Sequence, residues 1–287
     1  MTTRPATDAA LARSLVDTQF PQWAELPLTL VDPAGSDHVI YRLGRELSVR
    51  LPRHSGAITQ ARKEAEWLPR LAPRLPLAIP VPVEVGEPAL GYPWPWAVSR
   101  WLAGEVATVE ALADSHEAAS TLAEFLTALQ RCTPTEAADL TAQPLAARDT
   151  ATRSAITQVG TAFDAAAMTD LWEAALTAPE WNHPPTWCHG DFHTGNLLTT
   201  NGHLSAVIDF GELGIGDPAC DLTIAFTLMS AETRATFRTA LDVDDATWTR
   251  GRGWALATGL NAYVSYAAVN PRVAAQTTRQ ITQALTG

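Results

Sequence analysis

The chain is poor in several things, and each shortage narrows what it can be. It has three cysteines, Cys132, Cys188 and Cys220, far apart and without a CxxC spacing. Neither a zinc site nor a disulfide framework is expected from such a set, and a cytoplasmic setting is. Lysine is almost missing: Lys63 is the only one, and every other fixed side-chain cation is arginine. Cations are outnumbered, 20 against 31 acidic residues, for a formal net charge of −11. Nucleic acid is therefore not an expected partner, because phosphate-backbone binding needs a basic surface. No stretch approaches the roughly eighteen apolar residues of a membrane span. The opening "MTTRPATDAALARSL" lacks the basic start and apolar run of a secretory signal and reads as a first helix. Internal repeats, low-complexity tracts and long linkers are absent too.

What is present is a hydrophobic content of 46% against 18% charged residues, a balance suited to a soluble globular chain with substantial cores. Short aliphatic and β-branched runs fill the first hundred residues. "LPLTLVD" (26–32), "HVIYRLG" (38–44), "ELSVRLP" (46–52), "IPVPVEVG" (79–86) and "YPWPWAVSRWLAGE" (92–105) read as strands, with turns at "AGSD" (34–37) and Gly44. "GAITQARKEAEWLPRLA" (56–72) reads as the one helix among them. Beyond 105 the periodicity becomes helical, over 108–132, 150–163, 168–178, 217–230 and on to 270–285. The expected class is α+β. The division expected is a β-rich N-terminal lobe, 1–102, with a hinge at 99–102, and a mainly helical C-terminal lobe, 103–287.

Two polar runs interrupt the helical half: "WCHGDFHTGNLL" (187–198) and "IDFGELGIGDPACDL" (208–222). Asp191 and Asn196 stand five apart, and Asp209 follows thirteen later. An amide oxygen and a carboxylate on neighbouring loops make a hard-oxygen site suited to Mg²⁺, which keeps part of its water and bridges phosphate oxygens. The remaining carboxylate, Asp191, is then free to orient a hydroxyl and accept its proton. This is the logic of phosphoryl transfer.

"HGDFHTGN", "IDFG" and "GDPACDL", in that order, resemble the aminoglycoside phosphotransferase family, antibiotic kinases related to protein kinases. The resemblance runs through most of the chain: "GSDHVIYRLGRELSVRLPR" is similar to the family's first hairpins, "RKEAEWLPRLAPRLPL" to its small-lobe helix and "YPWPWAVSRWL" to its hinge approach. It implies a bilobal kinase-like fold with the nucleotide held by the N-terminal lobe. It implies Asp191 as catalytic base, Asn196 and Asp209 as magnesium ligands, and Asp221 as an anchor of the catalytic loop through its backbone. Arg50 falls where kinases place the strand lysine that grips the nucleotide phosphates, and Glu64 where its partner glutamate stands. Arginine grips phosphate bidentately where lysine is a point charge, so the substitution changes the phosphate geometry and not the reaction class. No GxGxxG occurs, and Ser36 with its neighbouring amides is left as the phosphate-covering loop. Ser99, Arg100, Trp101 and Leu102 form the hinge beside the nucleotide. Phe192 and Thr194 replace the more usual Leu and Pro, away from the polar positions.

The implied reaction moves the γ-phosphate of ATP or GTP to a hydroxyl of an aminoglycoside-like or other antibiotic, conferring resistance. A macrolide or nucleoside antibiotic remains open, as does a metabolite such as choline, homoserine or a sugar. A silent nucleotide-binding module is the third reading, and the intact Asp191, Asn196 and Asp209 argue against it. Monomer and homodimer are both left open, and no membrane association is expected. Glu212 and Trp254 are weak candidates for substrate contact, and an acidic cleft beside Asp191 is expected to receive a cationic aminosugar. Plainer readings attach to other residues: His189 and His193 bonding the loop backbone, Asp217 before Pro218 as a helix cap, and "DVDD" (242–245) as a solvated loop.

Overall fold

The computed structural model describes residues 7–32, 37–133 and 140–287. Contacts divide the chain into two units: residues 1–104 with 206–211, and residues 105–205 with 212–287.

In the first unit, five antiparallel strands form one sheet: β1 (Leu28–Leu30), β2 (His38–Leu43), β3 (Leu47–Pro52), β4 (Pro82–Gly86) and β5 (Trp96–Arg100). Their spatial order is β1-β2-β3-β5-β4. The period-2 alternation of a strand sorts the side chains. Val39, Tyr41 and Leu43 of β2, Val49 and Leu51 of β3, and Trp96 and Val98 of β5 pack with Ala12, Leu15 and Val16 of helix α1 (Ala9–Gln19). Asp8 caps α1 by accepting the Leu11 amide. Gly86 pairs with Trp96, and a Cβ there would lie 2.0 Å from the indole, so only glycine lets the ring lie flat on β4. Ser48, Arg50, Ala97 and Ser99 occupy the alternate positions. Helix α2 (Gln60–Leu71) packs against β4 and β5. The segment 206–211 joins this unit through the Val207 amide, which donates to Ala78 O at 2.9 Å.

The second unit is mostly helical. It contains α3 (Val109–Leu112), α4 (His116–Arg131), α5 (Asp149–Val159), α6 (Ala165–Thr177), α7 (Thr223–Thr227), α8 (Ala231–Leu241), α9 (Asp245–Tyr266) and α10 (Pro271–Thr286). Helix α9 is the hub and packs against α5, α6 and α10. Two further small sheets frame the polar loops. Strand β6 (Glu105–Val106) pairs with β8 (Leu197–Thr200), and β7 (Thr186–Cys188) pairs with β10 (Gly214–Gly216). From β8 the chain turns through Asn201-Gly202, both at positive φ, into β9 (His203–Val207).

Two stretches expected as single helices are divided. The 108–132 stretch breaks because Ser115 accepts the Ala118 amide and starts α4 afresh. The 217–230 stretch opens with a 3₁₀ turn, Pro218–Leu222, capped by Asp217 on the Ala219 amide. "DVDD" also has a structural use: Asp242 ends α8 in the left-handed region, and Asp244 caps α9 through the Thr247 amide. Among the described residues, no helix is long and apolar enough to cross a membrane.

Candidate functional site

In the first unit, alternation along β3 turns Arg50 away from the Val49 and Leu51 core. Arg50 Nη1 donates to Glu64 Oε2 of α2 at 2.5 Å, and both side chains are buried, 10% and 1% exposed. Burial pushes the Glu64 carboxyl up and Arg50 pulls it back; with a guanidinium in contact, the pair is ionic. Burial also works against the Arg50 charge, but Glu64 and then Asp209 overcome it and raise its pKa. Arg50 Nη2 lies 3.7 Å from Asp209 Oδ1. Asp209 sits at φ +64°, a left-handed conformation that a non-glycine residue rarely takes outside special turns. That backbone bend leaves its carboxylate 44% exposed. Lys63 Nζ donates to Gly211 O at 2.6 Å, so the only lysine supports the same turn. Burial, followed by the Arg50 charge, pushes His38 down to about 3 and keeps it neutral.

Of the expected hinge residues, Ser99 is buried on β5, Arg100 is exposed, and Trp101 and Leu102 are half-buried. Arg42 lies over the Trp101 ring at 4.9 Å, and the Trp101 amide donates to Glu46 O at 2.7 Å. Ser36 lies outside the described residues.

In the second unit, β7 delivers the chain into the loop 189–196. Asp221, 1% exposed, lies beneath it and receives two of its amides: His189 N–H on Oδ2 and Gly190 N–H on Oδ1, both at 2.8 Å. Burial pushes the Asp221 carboxyl up, and the His189 side chain and these two amides oppose the rise. Gly190 turns at φ +83°, where a Cβ would meet Glu212 O at 2.3 Å. The Asn196 amide Nδ2 donates to Asp191 O at 2.9 Å and to Asp191 Oδ2 at 3.2 Å. His193 Nδ1 accepts the Gly195 amide, which puts the ring proton on Nε2, 3.4 Å from Asp191 Oδ2. Burial works to raise the Asp191 carboxyl, but the His193 contact, His189 and Asn196 together hold it down at about 2. The result is a half-buried carboxylate that stays ionised and is fixed on one side by an imidazole and an amide. His189 Nδ1 accepts the Asp191 amide at 3.3 Å, a backbone role.

Asp191 opens on a cavity of about 470 Å³ contained in the second unit. The expected acidic cleft is not what the chain forms. Among the described lining residues, Asp191 and Glu110 are the acids, and Arg272 and Arg279 offset them. Arg279 is occupied by the Thr227, Leu228 and Met229 carbonyls at the end of α7. Threonines, Trp254 and Tyr266 supply much of the remaining wall. The acidity of the whole chain is spread elsewhere, because a net charge says nothing about which helices converge. Trp254 thus lines the cavity. Glu212 is exposed and does not; its backbone faces Gly190 instead.

Three participants carry no sequence signal strong enough to find them. His193 reads as an ordinary loop residue until its ring is seen against Asp191. Lys63 stands out in the sequence as the only lysine, but its role shows only in its contact with Gly211. Arg148 lies over Trp254 at 4.9 Å, a pairing of residues far apart in the chain.

A profile of the phosphotransferase enzyme family matches residues 30–254. No curated protein sequence matches the chain. Among solved structures, the chain is similar to the GDP and kanamycin complex of APH(2")-IIia, with a TM-score of 0.76, 18% identity, and coverage of 96% of this chain and 98% of that one. It is similar to macrolide 2'-phosphotransferase MphH from Brachybacterium faecium, with a TM-score of 0.64, 21% identity, and coverage of 94% and 95%. It is also similar to the streptomycin–ATP–APH(2")-IIa ternary complex, with a TM-score of 0.61, 16% identity, and coverage of 96% of each chain. At these identities the likeness is one of fold: the α+β, kinase-like fold of small-molecule phosphotransferases.

Proposed function

Because the chain belongs to the phosphotransferase enzyme family, we propose that it moves the γ-phosphoryl group of ATP or GTP to a hydroxyl of an antibiotic. The observation that carries this reading is Asp191: a carboxylate kept ionised and oriented at the wall of a ligand-sized cavity. In this reading Asp191 orients the acceptor hydroxyl and takes its proton as the oxygen attacks phosphorus. Asp221 holds the loop amides, so that Asp191 keeps its direction through the reaction. Arg50, braced by Glu64, presents guanidinium N–H groups to the nucleotide phosphates. Ser99 to Leu102 border the nucleotide base.

Asn196 and Asp209 suit magnesium by their chemistry. Asn196 spends its N–H groups on Asp191 and keeps its Oδ1 as an acceptor; Asp209 offers an exposed carboxylate from a strained turn. Magnesium, when bound, neutralises phosphate charge. The relatives whose complexes contain kanamycin, streptomycin with ATP, or GDP support both halves of the reaction.

Within the antibiotic class, the offsetting charges of the cavity favour an acceptor of low charge, such as a macrolide, over a multiply protonated aminosugar. Ammonium groups gain most where carboxylates are in excess, and here they are matched by arginines. Coupled nucleotide-diphosphate release, run over aminoglycosides, macrolides, nucleoside antibiotics, choline, homoserine and sugars with ATP and GTP in turn, tests the proposal. An antibiotic is expected to be the best acceptor, with a Michaelis constant nearly independent of salt. Best activity on choline, homoserine or a sugar overturns the antibiotic assignment. A steep rise of the Michaelis constant with ionic strength overturns the low-charge assignment.

A further inference from the structure

Behind the Asp191 loop, the fold brings together two thiols that the proposed reaction does not use. Cys188 ends β7, and Cys220 lies in the 3₁₀ turn Pro218–Leu222; both are buried. Their Sγ atoms and a carboxylate oxygen of Asp221 all lie within 4.8 Å of one another. Cys220 Sγ is 3.7 Å from Asp221 Oδ1. In a tetrahedral site, metal–sulfur bonds of about 2.3 Å and metal–oxygen bonds of about 2.1 Å place neighbouring ligand atoms roughly 3.5–3.8 Å apart. We propose that Cys188, Cys220 and Asp221 form a binding site for a thiophilic divalent ion of the zinc type.

The donor set selects the ion. Two sulfurs and one oxygen suit borderline-soft zinc and reject magnesium, which takes oxygen ligands in octahedral geometry. Access is built in, because Cys220 forms part of the wall of the 470 Å³ cavity while Cys188 lies behind it. Electroneutrality gives a reason for the Cys220 thiol to stay protonated when no ion is bound. The Cys188 thiol, then burial, then the Asp221 charge push the Cys220 thiol up. A dication removes that obstacle: it takes the place of two thiol protons, which leave to solvent, and two metal–sulfur bonds form. The site shares Asp221 with the loop, whose His189 and Gly190 amides that carboxylate also receives. Cys132 stands apart as the C-cap residue of α4, its thiol donating to Ala128 O, and is an internal control.

The test uses reduced protein and Co²⁺ alone as probe, and it reads binding rather than turnover, so its outcome is separate from that of the phosphotransferase reading. One cobalt per chain is expected, with an intense thiolate-to-cobalt charge-transfer band in the near ultraviolet and release of two protons per ion. Zinc should displace the cobalt, and excess magnesium should not. Cys132→Ser should behave as the unaltered chain, whereas Cys188→Ser and Cys220→Ser should each weaken the band. X-ray absorption on the unaltered chain, which needs no folded variant, should show two sulfur scatterers at about 2.3 Å from the ion. Cobalt bound without the band, a shell of nitrogen and oxygen only, or a band that survives Cys188→Ser with Cys220→Ser overturns the proposal.

Discussion

Among the described residues, each unit buries one carboxylate almost completely, and each answers the cost differently. Glu64 and Asp221 are both 1% exposed, and burial pushes both carboxyls up. Glu64 is answered by a charge, the Arg50 guanidinium. Asp221 is answered by two backbone amides. A charge held by another side chain orients that side chain, so the Glu64 arrangement serves to aim a cation. A charge held by backbone amides fixes the course of the chain, so the Asp221 arrangement serves to hold a loop. The first device suits gripping a phosphate, the second suits positioning a base.

The largest expected effect lies at the residue that the second device positions. Asp191→Ala should lower turnover on the order of 10²- to 10⁴-fold, with a moderate loss of thermal stability from the contacts to His193 and Asn196. Steady-state kinetics with a melting curve checks both halves, and undiminished transfer would remove Asp191 from its assigned role.

Breaking the first device should be costly in another currency. Arg50→Ala strands a buried carboxylate and should destabilise the chain by about 3–5 kcal/mol, the usual loss when one partner of a buried pair is removed. Replacing both, Arg50→Met with Glu64→Leu, should restore most of that stability but not nucleotide affinity. Denaturant unfolding and nucleotide titration on the two variants separate bracing from binding. Recovery of nucleotide affinity in the double variant would contradict the phosphate-gripping role.

The backbone device should break more gently. Asp221→Asn keeps one acceptor and turns the other oxygen into a donor facing an amide, at a cost of about 1–3 kcal/mol for a buried group left unsatisfied. Turnover should fall while nucleotide affinity holds. A drop in nucleotide affinity with turnover intact would reverse the contrast between the two carboxylates.

The smallest effect concerns His193. The Asp191 carboxyl sits below its ordinary value, at about 2. Its ionised form therefore adds stability that is complete above the unfolded value of about 3.9 and is lost as pH falls through about 2. His193→Ala should move this carboxyl upward and shift the acid limb of the rate profile to higher pH, with little change near neutrality. Carbon-detected titration of the Asp191 carboxyl reads the shift directly; an unmoved carboxyl would show that His193 does not act on it.

Much of this was legible in the residues, for identifiable reasons. Strand alternation in "LSVRLP" separates Val49 and Leu51 from Arg50, and the structure follows it. The spacing of Asp191, Asn196 and Asp209 is local enough to be read without coordinates. The helix boundaries near Ser115 were not legible, because a serine that caps and a serine that sits mid-helix look alike until the backbone turns. The charge of the cavity was illegible for a different reason. Glu110 comes from α3, Arg272 and Arg279 from α10, and Asp191 from a loop, and only the tertiary packing brings them to one wall.

The most direct test of the whole account follows a γ-phosphate labelled in the nucleotide. The best acceptor from the panel is incubated with labelled ATP or GTP, magnesium and either the unaltered chain or Asp191→Ala, and the label is located by phosphorus NMR. The account predicts label on one hydroxyl of the acceptor with the unaltered chain, at least about a hundredfold less with Asp191→Ala, and none in excess chelator. Label appearing only as inorganic phosphate, or reaching the acceptor equally well without Asp191, would contradict it.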